Sequence, residues 1–425
     1  MASCTSSLAK EVCELKEMMK AQNRRIDKLI KHIKEGCEAK GEEELVSTVQ
    51  NLNPYLECLD PDILYHLSLS TATTDFPKVF GDVRFVCMGG TPSRMFKFAN
   101  FIMKEIGLKL NSSVKLKDLA EDANRYALYK VGPVLCASHG IGGPSISILL
   151  HELIKIMHHA KCQNPVFFRL GTSGGIGVEP GTVVITSEAL DGQLRASYEI
   201  VVHTTPDMRP TKLDEDLSKE LRSLSDPCRD GFDTIIGKTL CANDFYEGQS
   251  RLDGAFCCYT PDQKKEFLEK ISSQGVVNME MESTAFAALT GQAGIRSAVV
   301  CVTILNRLEG DQITTPGDTL KSWDLRPQTL IARYMKKVLF GIVDEEDSEF
   351  EFCECGAGDQ TPPPTQGASP DQAPSATQDT TAAQPGPATE DPPAAGARRA
   401  TTIDSKRATA TDSKRGTQVE PVDEE

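Results

Sequence analysis

Arg169 stands inside an apolar run, Val166-Phe167-Phe168-Arg169-Leu170. A guanidinium in a buried strand requires a nearby anion, because a charge left unpaired in low dielectric costs several kcal/mol. The run breaks into Gly171-Thr172-Ser173-Gly174-Gly175-Ile176-Gly177, which reads as a glycine-rich turn. Such a turn lets backbone N–H groups and the Thr172 hydroxyl approach a ligand. Together these residues point to a phosphate-sized oxyanion at the C-terminal edge of a sheet, with an ion pair beside a tight turn as the alternative. Two more arginines support the anion. Gly89-Gly90-Thr91-Pro92-Ser93-Arg94 follows a strand and feeds a helix, so its backbone donors and Arg94 can meet an oxyanion. Arg125 begins the next extended segment. Three such arginines suffice for a divalent phosphate held by forked, charge-assisted bonds.

Two further stretches carry different chemistry. Phe245-Tyr246-Glu247-Gly248-Gln249-Ser250-Arg251 reads as a polar loop with an amide and a guanidinium two residues apart. Such a pair can read the alternating carbonyl and N–H edge of a pyrimidine. In Met279-Glu280-Met281-Glu282-Ser283, two carboxylates stand where a buried strand joins a helix. They suit the vicinal hydroxyls of a ribose, and the alternative is that Glu282 caps the helix next to Ser283.

Two familiar signatures nearly fit and are rejected. Gly171, Gly175 and Gly177 imitate a dinucleotide-binding turn, and Tyr126 and Lys130 a dehydrogenase pair. A dinucleotide turn must open a helix, whereas Pro180-Gly181 and the β-branched run Thr182 to Thr186 follow here. His151-Glu152 would begin a zinc-protease motif, but Lys155 occupies the position of the second histidine.

The elements that must position these residues alternate between strand and helix from Asn53 to about Val343. The strands predicted are Val83–Met88, a hairpin over Tyr126–Ala137, Val166–Leu170, Thr182–Thr186, Glu199–His203, Thr234–Leu240, Val276–Met279 and Arg296–Leu305. Helices are predicted over Met95–Ile106, Ser145–Ala160, Leu213–Leu224, Asp262–Ser273, Ser283–Gln292 and Pro327–Phe340, the last opened by its proline. This alternation predicts one α/β domain with a sheet covered on both faces. Residues 1 to about 50 carry a heptad stripe, with Val12, Met19, Ile26 and Ile33 at one core position and Leu8, Leu15, Gln22 and Leu29 at the other. The stripe suits either a self-associating coiled coil or one amphipathic helix on the globular body. From Asp344 onward the composition turns acidic and then rich in Pro, Thr, Ala and Gln, so a disordered tail is expected.

Composition excludes some functions. A net charge of −15 over 425 residues argues against a nucleic-acid binder, so an anionic substrate must be held locally against the overall field. Fourteen cysteines are scattered without paired or zinc-site spacing, and neither a signal peptide nor an apolar run near ~18 residues is found. The chain therefore reads as a reduced, cytosolic protein with no membrane segment.

In their order along the chain, the loops Gly90–Arg94, Ser138-His139-Gly140-Ile141-Gly142-Gly143-Pro144-Ser145, Arg169–Gly177, Phe245–Arg251 and Glu280–Ser283 resemble the nucleoside phosphorylase family. The resemblance covers roughly residues 53 to 343. It implies a single three-layer domain around a mixed, partly barrelled sheet. It also implies reversible attack of phosphate on a β-nucleoside, here uridine or deoxyuridine, giving uracil and α-ribose 1-phosphate with no metal or organic cofactor. By the same resemblance, Gly90, Arg94, Arg169 and Thr172 hold phosphate, and Arg125 reaches it from a neighbouring subunit. His66 is lent across that interface to the ribose 5′-hydroxyl. Glu280, Met281 and Glu282 hold the sugar, Phe245 stacks on the base, and Gln249 and Arg251 read its edge. Arg169, Gln249, Arg251 and Glu282 form the catalytic set. A homodimer with shared active sites is implied. Tyr126 stands where bacterial relatives carry a glutamate that helps bind a monovalent cation, so no cation site and no hexamer are expected. The alternatives are a purine nucleoside phosphorylase, which would place an aspartate near Asn306, and a non-catalytic scaffold of the same fold.

Overall fold

The computed structural model describes residues 47–50, 52–108 and 116–341. The heptad stripe and the Pro-, Thr- and Ala-rich tail lie outside the described residues.

Sheet closure follows from one strand pairing twice. The central sheet has the order β11 (Val276–Glu280), β10 (Thr234–Cys241), β7 (Val183–Leu190), β12 (Arg296–Asn306), β6 (Val166–Gly175), β3 (Phe85–Gly89), β5 (Val134–Ser138), β4 (Leu128–Val131). β11 also pairs antiparallel with β6, through Asn278↔Gly175 and Met279↔Gly174. Strands β6, β12, β7, β10 and β11 thus curl into a barrel, while β3, β5 and β4 extend it as an open sheet. The ladder is mixed: β3 is parallel to β5 and β6, whereas β12 is antiparallel to β7. The partly barrelled α/β domain anticipated from the sequence is the one found.

Alternation along each strand sends successive residues to opposite faces. Val86, Phe167, Val299 and Cys301 pack with helices α3 (Gly143–His159) and α7 (Ser283–Gln292). Their neighbours Phe85, Phe168, Ala298 and Val300 pack with α2 (Pro92–Glu105), α4 (Glu215–Ser223) and α8 (Gly317–Phe340). A smaller cluster joins α6 (Pro261–Ser273) to β10 and β11. Two short helices, α1 (Phe76–Phe80) and α5 (Pro227–Asp230), and the pair β1 (Ile63–Leu64) and β2 (Leu69–Ser70) complete the periphery.

Three local expectations change. The glycine-rich stretch after Leu170 is not a turn: β6 runs on through Gly175, because the barrel gives its second half β11 as a partner. Pro327 does not open the last helix, which starts at Gly317 and carries the proline inside. An unanticipated strand, β9 (Thr205–Pro210), pairs with β8 (Ser197–Val202). Its turn residues His203 and Thr204 take φ of 49° and 68°, values usually left to Asn and Gly.

Candidate active site

Strand parity places Arg169 on the face shared with Phe167 and Cys301, opposite Met88 of β3 and Val299 of β12. It is 3% exposed. Nη2 meets Glu280 Oε2 at 2.9 Å and also pairs with Glu282, while Nη1 donates to Cys301 Sγ at 2.9 Å. Burial works against its charge, but Glu280 and Glu282 outweigh burial and hold the guanidinium well above its ordinary pKa. The following glycine is explained by this side chain. A Cβ on Gly171 would lie 2.7 Å from Arg169 Nη1. Of the two sequence readings of Arg169, the ion pair is the one seen, though in a continuing strand and not beside a turn, and its partners are the two carboxylates expected to hold the sugar.

β11 ends at Glu280 and α7 starts at Ser283, so the carboxylates stand on a strand-to-helix joint. Glu280, not Glu282, takes the capping role: it accepts from the backbone N–H of Glu282 at 2.9 Å and of Ser283 at 3.0 Å. A negative charge at that helix end is favoured by the peptide dipoles. Glu282 is freed to accept from the Gly142 N–H at 2.5 Å. Burial raises its pKa, but Arg169 and His139 overcome this and hold it below the usual carboxylate range. Met281 lies half-buried between the two. Gly142 has a φ of 85°, which suits glycine and turns its N–H to Glu282.

The base-reading loop is more buried than its polar sequence suggests. Gln249 and Arg251 are 4% and 8% exposed, Gln249 ending a short 3₁₀ turn (Glu247–Gln249) and Arg251 following it. Gln249 Oε1 accepts from Arg307 Nη1 at 3.3 Å and its carbonyl from Arg307 Nη2 at 2.7 Å. That leaves the Gln249 amide nitrogen as a donor with no partner among the described residues. Arg251 bonds Asp253 through Nε at 2.8 Å and Nη2 at 2.7 Å, and the Asp311 carbonyl at 2.8 Å. Its charge lies 4.5 Å above the Phe245 ring, which is 45% exposed. Arg307 also donates to Met279 Sδ at 3.1 Å, so the base loop and the Glu280 joint are one connected network.

The remaining expected residues are placed less uniformly. Gly90 sits at the end of β3, its carbonyl accepting from the Gly140 N–H at 2.9 Å. Arg94 lies in the first turn of α2, capped by Thr91, and pairs with Asp324 of α8 at 3.2 Å rather than reaching Arg169. Thr172 is half-buried opposite Val302, and its hydroxyl makes no hydrogen bond among the described residues. Arg125 is exposed and makes no ion pair among them. His66 Nδ1 lies 2.7 Å from Glu152 Oε1, which also accepts from the His66 backbone N–H at 3.0 Å. Neither Arg125 nor His66 touches the Arg169 cluster within the chain. Tyr126 donates to the Ser145 carbonyl at 2.8 Å. Asn306 is absorbed by loop geometry, accepting from the Gly177 N–H at 3.1 Å and donating to Glu309 at 2.9 Å.

Sequence reasoning missed Arg307, which is 1% exposed and bonds Asp311 Oδ1 through Nε at 3.1 Å, with Lys264 Nζ 2.7 Å from the same oxygen. The signal was available. Arg307 directly follows the apolar strand β12, and the argument that found Arg169 applies to it too.

Residues 84–336 match the Phosphorylase superfamily. The chain is 50% identical to human Uridine phosphorylase 2 over 292 residues, covering 69% of this chain and 91% of that one. It is 39% identical to Inactive uridine phosphorylase B of Schistosoma mansoni over 69% of this chain and 98% of the relative. Among solved structures, uridine phosphorylase from Schistosoma mansoni in complex with uracil superposes with a TM-score of 0.64 at 40% identity, covering 67% of this chain and 98% of that one. No helix among the described residues is long and apolar enough to cross a membrane.

Proposed function

The chain belongs to the phosphorylase superfamily, and we propose that within it the protein is a uridine phosphorylase. It cleaves uridine, and deoxyuridine, with inorganic phosphate to give uracil and α-(deoxy)ribose 1-phosphate, a reaction of pyrimidine salvage and uridine breakdown. The observation that carries this reading is the continuity of the site. Arg169 is buried against Glu280 and Glu282, and the next residue back, Met279, contacts the Arg307 that holds Gln249. Anion, sugar and pyrimidine groups thus stand along one strand end.

Cleavage of the C1′–N1 bond builds positive charge on the sugar and negative charge on the leaving uracil. Phosphate held by Arg169, with Gly90, Arg94 and Thr172, lies beneath C1′, stabilises the first charge and then bonds to that carbon. Gln249 and Arg251 donate to the uracil edge and take up the second charge as the bond breaks. Glu280, Met281 and Glu282 orient the ribose, and Phe245 covers the base. Binding of phosphate requires Arg169 to share its donors between two carboxylates and the incoming dianion, which its unpartnered Nε allows.

His66 and Arg125 serve the site of a second subunit, making the enzyme a homodimer. Exposed apolar side chains near His66 support this: Tyr65 beside it is 75% exposed, and Ile148, one turn before Glu152 on α3, is 38% exposed. The cytosol is its compartment, on the cysteine pattern.

The relative named inactive means that membership alone leaves turnover open, whereas the intact Arg169, Gln249, Arg251 and Glu282 favour a working enzyme over a scaffold. A purine substrate is disfavoured by Asn306, whose amide is committed to its own loop. The test is to supply uridine or inosine with phosphate and follow base release. Uracil from uridine and little hypoxanthine from inosine is expected. The reverse preference, or release of neither base, contradicts the proposal.

A further inference from the structure

Seven buried side-chain polar atoms among the described residues lack a hydrogen-bond partner, and four belong to His139, Arg169 and Ser283. Buried donors and acceptors are nearly always satisfied, so a concentration of orphans marks a place where something else binds. His139 is the most unusual of them. It is 1% exposed and neither ring nitrogen makes a hydrogen bond of good geometry, the Gly140 backbone being the polar group that comes near it.

Its position is fixed by the sheet. Ser138 pairs with Gly89, and Met88 with Arg169, so His139 follows the row where β3 and β5 end together beside the Arg169 stretch of β6. The His139 N–H donates to the Gly89 carbonyl at 2.8 Å, and its carbonyl accepts from Ser145 Oγ at 2.6 Å. The backbone is thus tied on both sides, and Arg169, Glu282 and Arg94 are the charged groups that act on the ring.

Resting on the phosphorolysis reading above, we propose that His139 is a further phosphate-binding residue, whose neutral ring donates one N–H to an oxygen of the nucleophilic phosphate beside Arg169. The alternative occupants are a ribose hydroxyl and a buried water. Phosphate is favoured because the ring, tied by its backbone to the Gly89-Gly90 strand end, feels the positive charge of both Arg169 and Arg94, which an anion there offsets. A neutral ring is what the site supplies: burial, then Arg169, lowers the His139 pKa to about 3. A donor that carries no charge adds specificity without a third cation.

The experiment compares wild type with His139→Phe, which keeps a ring without donors, and His139→Asn, which keeps a donor. KM for phosphate, KM for uridine and kcat are measured for each, with the rise in melting temperature on adding inorganic phosphate as a readout independent of turnover. Expected is a roughly 10- to 100-fold increase in the phosphate KM of His139→Phe, the range for losing a hydrogen bond to a charged group. The uridine KM should change little, His139→Asn should recover part of the loss, and the phosphate-dependent stabilisation should shrink in parallel. An unchanged phosphate KM, or a uridine KM that rises equally, overturns the assignment and points to water or ribose instead. If His139→Phe does not fold, His139→Leu, which has no donor, against His139→Asn, similar in shape but with a donor, carries the same comparison. A wild-type enzyme indifferent to phosphate fails a different claim, the phosphorolysis itself.

Discussion

Arg251 keeps one guanidinium nitrogen, Nη1, outside its bonds to Asp253 and the Asp311 carbonyl, and that nitrogen faces no competing protein acceptor among the described residues. Fixed in this way, it suits the proposed role of a preorganised donor for the leaving base. Arg251→Ala is expected to lower kcat by roughly 10²–10³, the usual loss on removing one such donor; near-normal turnover of uridine would remove the role. Glu282 makes a second, pH-dependent prediction. Its folded pKa lies below the ordinary 4.5, so its stabilising contribution is fully present above that pH and is lost as pH falls through the lower folded value. Glu282→Gln should therefore flatten the fall in melting temperature on the acid side of pH 4.5. An acid limb as steep as that of wild type speaks against it. At this scale the sequence was readable wherever one residue type conflicted with its surroundings, as Arg169 does inside an apolar strand. Partners such as Asp253, Asp311 and Asp324 were not readable, because nothing local distinguishes an ordinary surface aspartate from one that folding brings to an arginine.

Among elements, β6 is the one that sequence reading cut short. Gly171-Thr172-Ser173-Gly174-Gly175 looks like a turn because glycine is poor in strands, but a barrel needs close approach there, and only the partner strand β11 reveals it. The glycine at 171 leaves room for the folded-back Arg169 side chain. Gly171→Ala is expected to push that guanidinium off the carboxylates, costing about 1–3 kcal/mol of stability as an overpacked core does and raising the phosphate KM. Thermal unfolding and phosphate titration check both parts, and an alanine variant with wild-type values for both contradicts the packing argument. Helix α8 shows the same limit from the other side. A proline is a sound start signal, yet Gly317 to Arg326 fold ahead of it, and that extra length carries the Asp324 that meets Arg94. The strand-to-helix joint at Glu280 to Ser283 was legible in place but not in detail, since which of two nearby carboxylates caps the helix is decided by the position of Arg169.

For the whole molecule, the candidate site gathers around Arg169, Glu280 and Glu282, while His66 and Arg125 stand apart from it. His66 is held by Glu152, while Arg125 is exposed. If these are lent to a second subunit, two defective enzymes can repair each other. Arg125→Ala and Arg169→Ala chains should each be nearly inactive alone, yet regain turnover when co-refolded, because mixed dimers assemble one site with both arginines. No recovery, in samples where mixed dimers are verified by mass, contradicts sharing. The alternation of strands and helices gave the class of the domain from the sequence, because period and length survive without tertiary context. Barrel closure did not follow from it, since it depends on a contact between distant segments.

The central claim is that phosphate, held at Arg169, is the nucleophile and ends on the sugar. Phosphorus NMR of the enzyme with uridine and inorganic phosphate tests it directly. The phosphate resonance should decline in step with uracil formation while a ribose 1-phosphate resonance grows in its place, and Arg169→Ala should suppress both. Uracil released with the phosphate signal unchanged, and free ribose as the other product, would contradict the account.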